Sequence, residues 1–99
     1  MGESNGYDIA RQKVNLETSQ IPWKELQGFF ANGSAIYVAP DLDLVDVAYQ
    51  FSIDNKDQVA LWMKNNQLAL VSDRQATDWF EADKEVWAVV VKPWILVQE

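Results

Sequence analysis

Asp41, Asp43 and Asp46 follow in quick succession behind the apolar run Ala35-Ile-Tyr-Val-Ala39 and Pro40. Carboxylates gathered where a strand ends can hold a hard cation such as Mg²⁺, with waters and a phosphate substrate completing the shell. That chemistry would make the chain an enzyme working through Asp41 and Asp43. The same residues also have a plain structural use. Asp41 can cap the helix that begins after Pro40, and acidic side chains favour a first turn because the helix dipole is positive there. Asp43 and Asp46 fall opposite the apolar rows of that helix, towards water. No glycine-rich phosphate loop follows any predicted strand, and no lysine is placed to balance a phosphate. These spacings favour a capped, solvated helix start, with no metal ligand and no cofactor.

Two serines and one lysine are the other groups that could react. Neither Ser34 nor Ser72 sits in a Gly-x-Ser-x-Gly elbow, and the chain has no histidine to act as their base. Ser72 instead matches a capping box with Gln75, and Ser34 belongs to the turn after Gly33. Lys92 is more unusual, a charge between Val91 and Pro93 in an apolar stretch. Buried, its amine could act as a base or form a Schiff base. Pointing outward, it marks a bulge or guards a sheet edge, a common use of lysine. The outward placement is expected, and no catalytic residue is assigned.

The aromatic residues carry the remaining signal. Trp23, Trp62 and Trp79 lie on helical apolar stripes and read as core. Trp87 and Trp94 lie on the terminal strands, where one can face outward. Stacking on nucleic-acid bases needs lysines and arginines interleaved with the rings, and these strands offer only Lys92. Trp87, Lys92 and Trp94 are therefore the candidate interaction surface, suited to a protein partner or a second copy of the chain.

Composition narrows the classes further. Fifteen acidic against 8 basic residues give a formal charge of -7, which repels phosphate backbones and anionic lipid surfaces alike. With no cysteine and no histidine, the chain cannot build disulfides, thiolate or imidazole metal sites, or Ser-His and Cys-His dyads. Absence of cysteine fits a reducing compartment. No apolar run reaches the roughly 18 residues of a membrane span, and Met1 to Gly6 lack the basic and apolar regions of a signal peptide. A cytoplasmic protein is expected, with no nucleic-acid or membrane partner.

The elements that must position these groups are legible from periodicity. The longest apolar run, Val86 to Gln98, is rich in β-branched residues and broken only by Lys92 and Pro93. Both of its pleat faces are apolar, so it should lie inside a sheet, with Pro93 marking a bend and a further strand over 94–97. Residues 34–39 read as a second interior strand lying beside 86–91, the two forming the centre of a sheet of two to four strands. Residues 1–6 read as a flexible terminus, and 7–99 as one domain. Five helices are predicted. The first spans about 7–18. The second starts over Ser19 to Pro22 and carries Trp23, Leu26, Phe29 and Phe30, with Asn32-Gly33 as a left-handed cap. The third runs from Asp41 to about Ile53. The fourth follows Asp54-Asn55, with Val59, Trp62 and Met63 inward and Asn65-Asn66 closing it. The fifth follows Ser72, with Ala76, Trp79 and Phe80 inward. The class is α+β.

Several strings also resemble a known family. Ile21-Pro-Trp-Lys-Glu-Leu26, Val38-Ala-Pro-Asp-Leu-Asp-Leu-Val-Asp-Val-Ala48, Asp57-Gln-Val-Ala-Leu-Trp62 and above all the tail Val91-Lys-Pro-Trp-Ile-Leu-Val-Gln-Glu99 are similar to the bacterial family known as domain of unknown function 2288, from cyanobacteria and proteobacteria. The resemblance runs from about Leu16 to Glu99. It implies a small α+β protein and brings no activity, cofactor or catalytic residue with it. By elimination, the sequence points to a non-enzymatic interaction or homo-oligomerisation module. A small-molecule or metal-dependent enzyme using Asp41 and Asp43 is the alternative, and a nucleic-acid-associated protein ranks third. The C-terminal strands, with Trp94 after a proline and no later element to cover them, suggest a contact between two chains.

Overall fold

The C-terminal apolar run folds into the middle of a five-stranded mixed sheet. In the computed structural model, which describes residues 18–99, the run is divided into β4 (Glu85–Val91) and β5 (Trp94–Gln98). These strands are antiparallel, with Val91 opposite Trp94 and Trp87 opposite Gln98. On its other side β5 runs parallel to β2 (Ala35–Val38), which pairs antiparallel with β3 (Leu68–Leu70). Outside β4 lies β1 (Ser19–Pro22), again antiparallel, so the order is β1-β4-β5-β2-β3.

The class is α+β, and this arrangement corrects the finer expectations. β2 and β4 are both interior strands, but they do not lie beside each other, because β5 intervenes. The C-terminal strand is thus covered on both edges and leaves no open ladder. The sheet has five strands where two to four were expected. Ser19 to Pro22 is an edge strand and not the start of a helix. Pro22 sits at its end, where the missing N–H removes little from a ladder. The predicted helix over 7–18 and the terminus 1–6 lie outside the described residues, save Thr18.

Helices cover both sheet faces, as strands apolar on both sides require. A 3₁₀ turn (Trp23–Leu26) leads into α1 (Gln27–Ala31), and with α4 (Asp73–Glu81) it covers the face made by Ala35, Val86, Ala88, Ile95 and Val97. On the opposite face α2 (Leu44–Ser52) and α3 (Lys56–Lys64) pack on Ile36, Val38, Leu68, Val89 and Leu96. Trp23 anchors the first layer. It is fully buried, donates its indole N–H to the Ala76 carbonyl at 3.1 Å, and meets Trp79 edge-on at 5.1 Å between ring centres. A buried indole needs such a partner, and the edge-to-face contact adds to the area it buries.

Local chemistry sets the helix ends. Asp43 caps α2 by accepting from the Val45 amide at 3.0 Å, so the cap falls two residues later than the expected Asp41. Asp41 instead accepts from Gln67 Nε2 at 2.8 Å, tying this loop to the approach to β3. Gln98 Nε2 donates to the carbonyls of Ala39 and Leu42 at 2.9 and 2.8 Å, so the tail also holds the loop between β2 and α2. Asn55 caps α3, and Ser72 with Gln75 forms the predicted capping box on α4. Among the described residues, each of the four helical segments is followed by a left-handed residue: Gly33, Asp54, Asn66 and Asp83. Glycine and short polar side chains tolerate that conformation best.

Two side chains expected inward are exposed. Phe80 is 46% exposed, because Trp79 takes the core-facing position and leaves its neighbour on the flank, where Lys24 Nζ lies 5.1 Å from the Phe80 ring centre. Met63 is 44% exposed, because α3 turns Trp62 to the core.

Tyr37 on β2 gives the fold a pH signature. Burial holds its phenol above the ordinary value, and the Glu99 carboxylate raises it further. Above about pH 10 the unfolded chain's phenol loses its proton first, so stability declines from there until the folded value is passed. Tyr37→Phe should lose less stability than wild type between about pH 9 and 11, measured by denaturant titration at several pH values. Equal losses would assign the alkaline limb to other groups.

Candidate functional site

The end of the β4–β5 hairpin, the turn between α2 and α3, and one face of α3 enclose an apolar cleft of about 360 Å³. Its sheet side is Ile36 and Val91. Phe51 closes the α2 end, and Lys92, Pro93 and Trp94 form the hairpin wall. The wall opposite is a stripe on α3: Lys56, Val59, Ala60 and Met63. Those four sit at i, i+3, i+4 and i+7, the spacing that puts side chains on one helical face.

Each wall is fixed by local structure. Asp54 takes a left-handed backbone with φ of 58°, which reverses the chain between the helices. Asn55 then bonds back to α2, its amide N–H to the Gln50 carbonyl at 3.0 Å and its side-chain Nδ2 to Gln50 Oε1 at 2.7 Å. On the hairpin, only Lys92 and Pro93, joined by a cis peptide bond, link the paired residues Val91 and Trp94. The proline expected to mark a bend therefore forms half of a two-residue turn.

The mouth of the cleft departs from the charge of the chain. It carries Lys56 and Lys92 against Asp54 alone, in a protein of net charge -7. Lys56 Nζ stands 3.9 Å from Asp54 Oδ2 with both side chains well exposed, a pairing that contributes little. Lys92 is exposed, which removes the buried-amine chemistry considered for it, and it has no ion pair among the described residues. A second depression of about 320 Å³, between α1 and α4, is rimmed by Asp73 and Glu81, in keeping with the acidic remainder.

The structure brings together two of the three residues expected to form an interaction surface. Lys92 and half-buried Trp94 share one wall of the cleft. Trp87 stands apart: it is 44% exposed and four residues down β4 from Val91, roughly 13 Å along the strand. The aspartates lie elsewhere. Asp43 is spent on its cap and Asp41 on Gln67, and among the described residues no three acidic, histidine or cysteine side chains gather to hold a metal ion. Ser34 serves through its backbone, its N–H to Phe29 and its carbonyl from the Ile95 amide, while the Ser72 hydroxyl is used in the capping box. Sequence reasoning missed Phe51, Ala60 and the α2–α3 turn as parts of a site. The signal was present in the stripe Lys56-Val59-Ala60-Met63, which runs beside the core direction set by Trp62.

Comparison with known proteins places the chain among relatives. A family described as "Protein of unknown function (DUF2288)" matches residues 9–99. The NMR solution structure of PA1075 from Pseudomonas aeruginosa is similar at 42% identity with a TM-score of 0.80, covering 92% of this chain and 84% of that one. No curated protein matches the chain.

Proposed function

This chain belongs to the DUF2288 family, and we propose that it acts as a cytoplasmic, non-catalytic binding module whose contact site is the cleft between α3 and the β4–β5 hairpin. The observation that carries this reading is the lining. Ile36, Phe51, Val59, Met63, Val91 and Trp94 converge on one concavity, and its polar lining residues are few: Asp54, Asn55, Lys56 and Lys92. Small-ligand and side-chain pockets have this make-up, mostly apolar walls with sparse polar orientation points. No hydroxyl nucleophile with an adjacent base lines the cleft, which supports binding over covalent chemistry. The cysteine-free sequence supports the reducing compartment, and no helix among the described residues is long and apolar enough to cross a membrane.

Self-association through an open C-terminal strand loses its basis, because β5 is paired on both sides. A dimer built by strand pairing would have to use β1 or β3, which are only 4 and 3 residues long. Short edges of this kind resist such pairing.

The cleft can be tested with a neutral apolar probe. Titrating indole into ¹⁵N-labelled protein should shift the amides of Phe51, Val59, Met63, Val91 and Trp94 together, and little else. Ala60→Trp should fill the cleft from an exposed helical position and abolish those shifts while leaving the rest of the spectrum folded. Shifts scattered over the surface, or unaffected by Ala60→Trp, would remove the cleft as the binding site.

A further inference from the structure

Resting on that reading, we propose that the cleft takes a free small apolar carboxylate, a one-ring or branched-alkyl body with a single carboxylate held at the mouth. Size is the first argument. A volume of about 360 Å³ lies near the small end of ligand cavities, which run from roughly 300 to 1,000 Å³. That suits one compact ligand. An extended peptide would need a longer groove.

The walls set the chemistry of the ligand's body. Phe51, Val59 and Trp94 offer mainly aromatic and branched carbon surface, and Asn55 Nδ2 already donates to Gln50. A polar body would lose its hydration there without compensation.

Charge complementarity sets the ligand's head. Across the chain acids outnumber bases 15 to 8, yet the mouth has two ammonium groups against one carboxylate. Asp54 is weakly engaged by Lys56, and Lys92 is left unpaired among the described residues. A ligand carboxylate beside Lys92 would complete the pairing. A cationic ligand would meet two like charges, and a neutral one would gain nothing from them. Lysines are point charges without the fork of arginine, so they favour a simple anion over a group that needs bidentate recognition.

The test uses three probes of one shape: 3-phenylpropionate, its amide, and 3-phenylpropylamine, each titrated into the ¹⁵N-labelled full chain. All three should shift the cleft amides. The carboxylate should bind about three- to fivefold more tightly than the amide, the size expected of exposed ion pairing, and the amine should bind most weakly. The carboxylate's advantage should shrink in about 1 M salt, where the screening length falls to about 3 Å. Lys92→Glu should reverse the order of carboxylate and amine. Equal affinities for all three probes, still at the cleft, would overturn the carboxylate assignment and leave the binding site standing. Failure of every probe, together with indole, would overturn the site itself. Two other results would also overturn the free ligand. One is a C-terminal carboxylate on an apolar peptide binding far more tightly than the free acid. The other is a sedimentation mass that doubles with concentration while the cleft signals broaden, which would put a second copy there.

Discussion

Trp23→Ala should lower stability by roughly 3–5 kcal/mol, the cost of truncating a large aromatic in a close-packed core. Several losses combine at this one position. The side chain is fully buried between the sheet and α4, so a cavity remains where its rings stood. The edge contacts with Trp79 at 5.1 Å and Phe30 at 5.9 Å disappear. The Ala76 carbonyl loses the indole N–H as its second partner and keeps the helical amide four residues on, so this bond adds about 0.5–1.5 kcal/mol. Against a typical total of about 5–15 kcal/mol this is a large fraction. Phe80→Ala is the matched control, since Phe80 is half-exposed and gives up mainly its contact with Lys24, worth about 0.5–1 kcal/mol. Denaturant titration of both variants checks the contrast. A Trp23→Ala loss below about 1 kcal/mol would mean that the helical layer does not depend on this ring.

How much of this fold was legible follows from what periodicity encodes. The stripe of Trp23 and Leu26, the capping box at Ser72 and Gln75, and the left-handed residues at Gly33 and Asn66 are local signals, and local structure obeys them. Periodicity also says that β2, β4 and β5 are apolar on both faces. It does not say which strand neighbours which, because pairing depends on contacts far apart in the chain. Hence β5 reads in sequence as an uncovered terminus, whereas it is the middle strand. Ser19-Gln20-Ile21-Pro22 failed differently. As a short edge strand with one side to water it has little hydrophobic pattern to show, and its proline imitates a helix start.

The site was half legible for a related reason. Lys92 and Trp94 stood out because a charge and a proline interrupt an apolar run. Trp87 stands out only as an aromatic on a terminal strand, and the register places it opposite Gln98, at the other end of the hairpin. The α3 wall was hidden behind its core assignment. Val59 and Met63 are apolar at helical spacing whether they face the core or a cleft, and only the direction of Trp62 settles which. The aspartates shifted by one step of detail: acid at a helix start was right, but Asp43 holds the cap and Asp41 reaches Gln67.

A chain ending at Pro93 should not fold at all. Removing Trp94 to Glu99 takes away both ladders that join the sheet's halves, β4 with β5 and β2 with β5, and separates the β1–β4 pair from the β2–β3 pair. Ile95, Leu96 and Val97 are each fully buried, and they serve both helical layers, Leu96 on one face and Ile95 and Val97 on the other. At about 1.5–3 kcal/mol for each buried side chain, their loss alone amounts to roughly 4.5–9 kcal/mol, comparable with the whole stability of a small domain. Gln98 goes with them, and its two hydrogen bonds are what tie the tail to the loop before α2. Two isolated two-stranded pairs are marginal structures in water. Far-ultraviolet circular dichroism and an amide NMR spectrum check the outcome, which should be the narrow dispersion of an unfolded chain. A dispersed, native-like spectrum from the shortened chain would show that β5 is dispensable, as an edge strand would be, and that the order β1-β4-β5-β2-β3 is wrong.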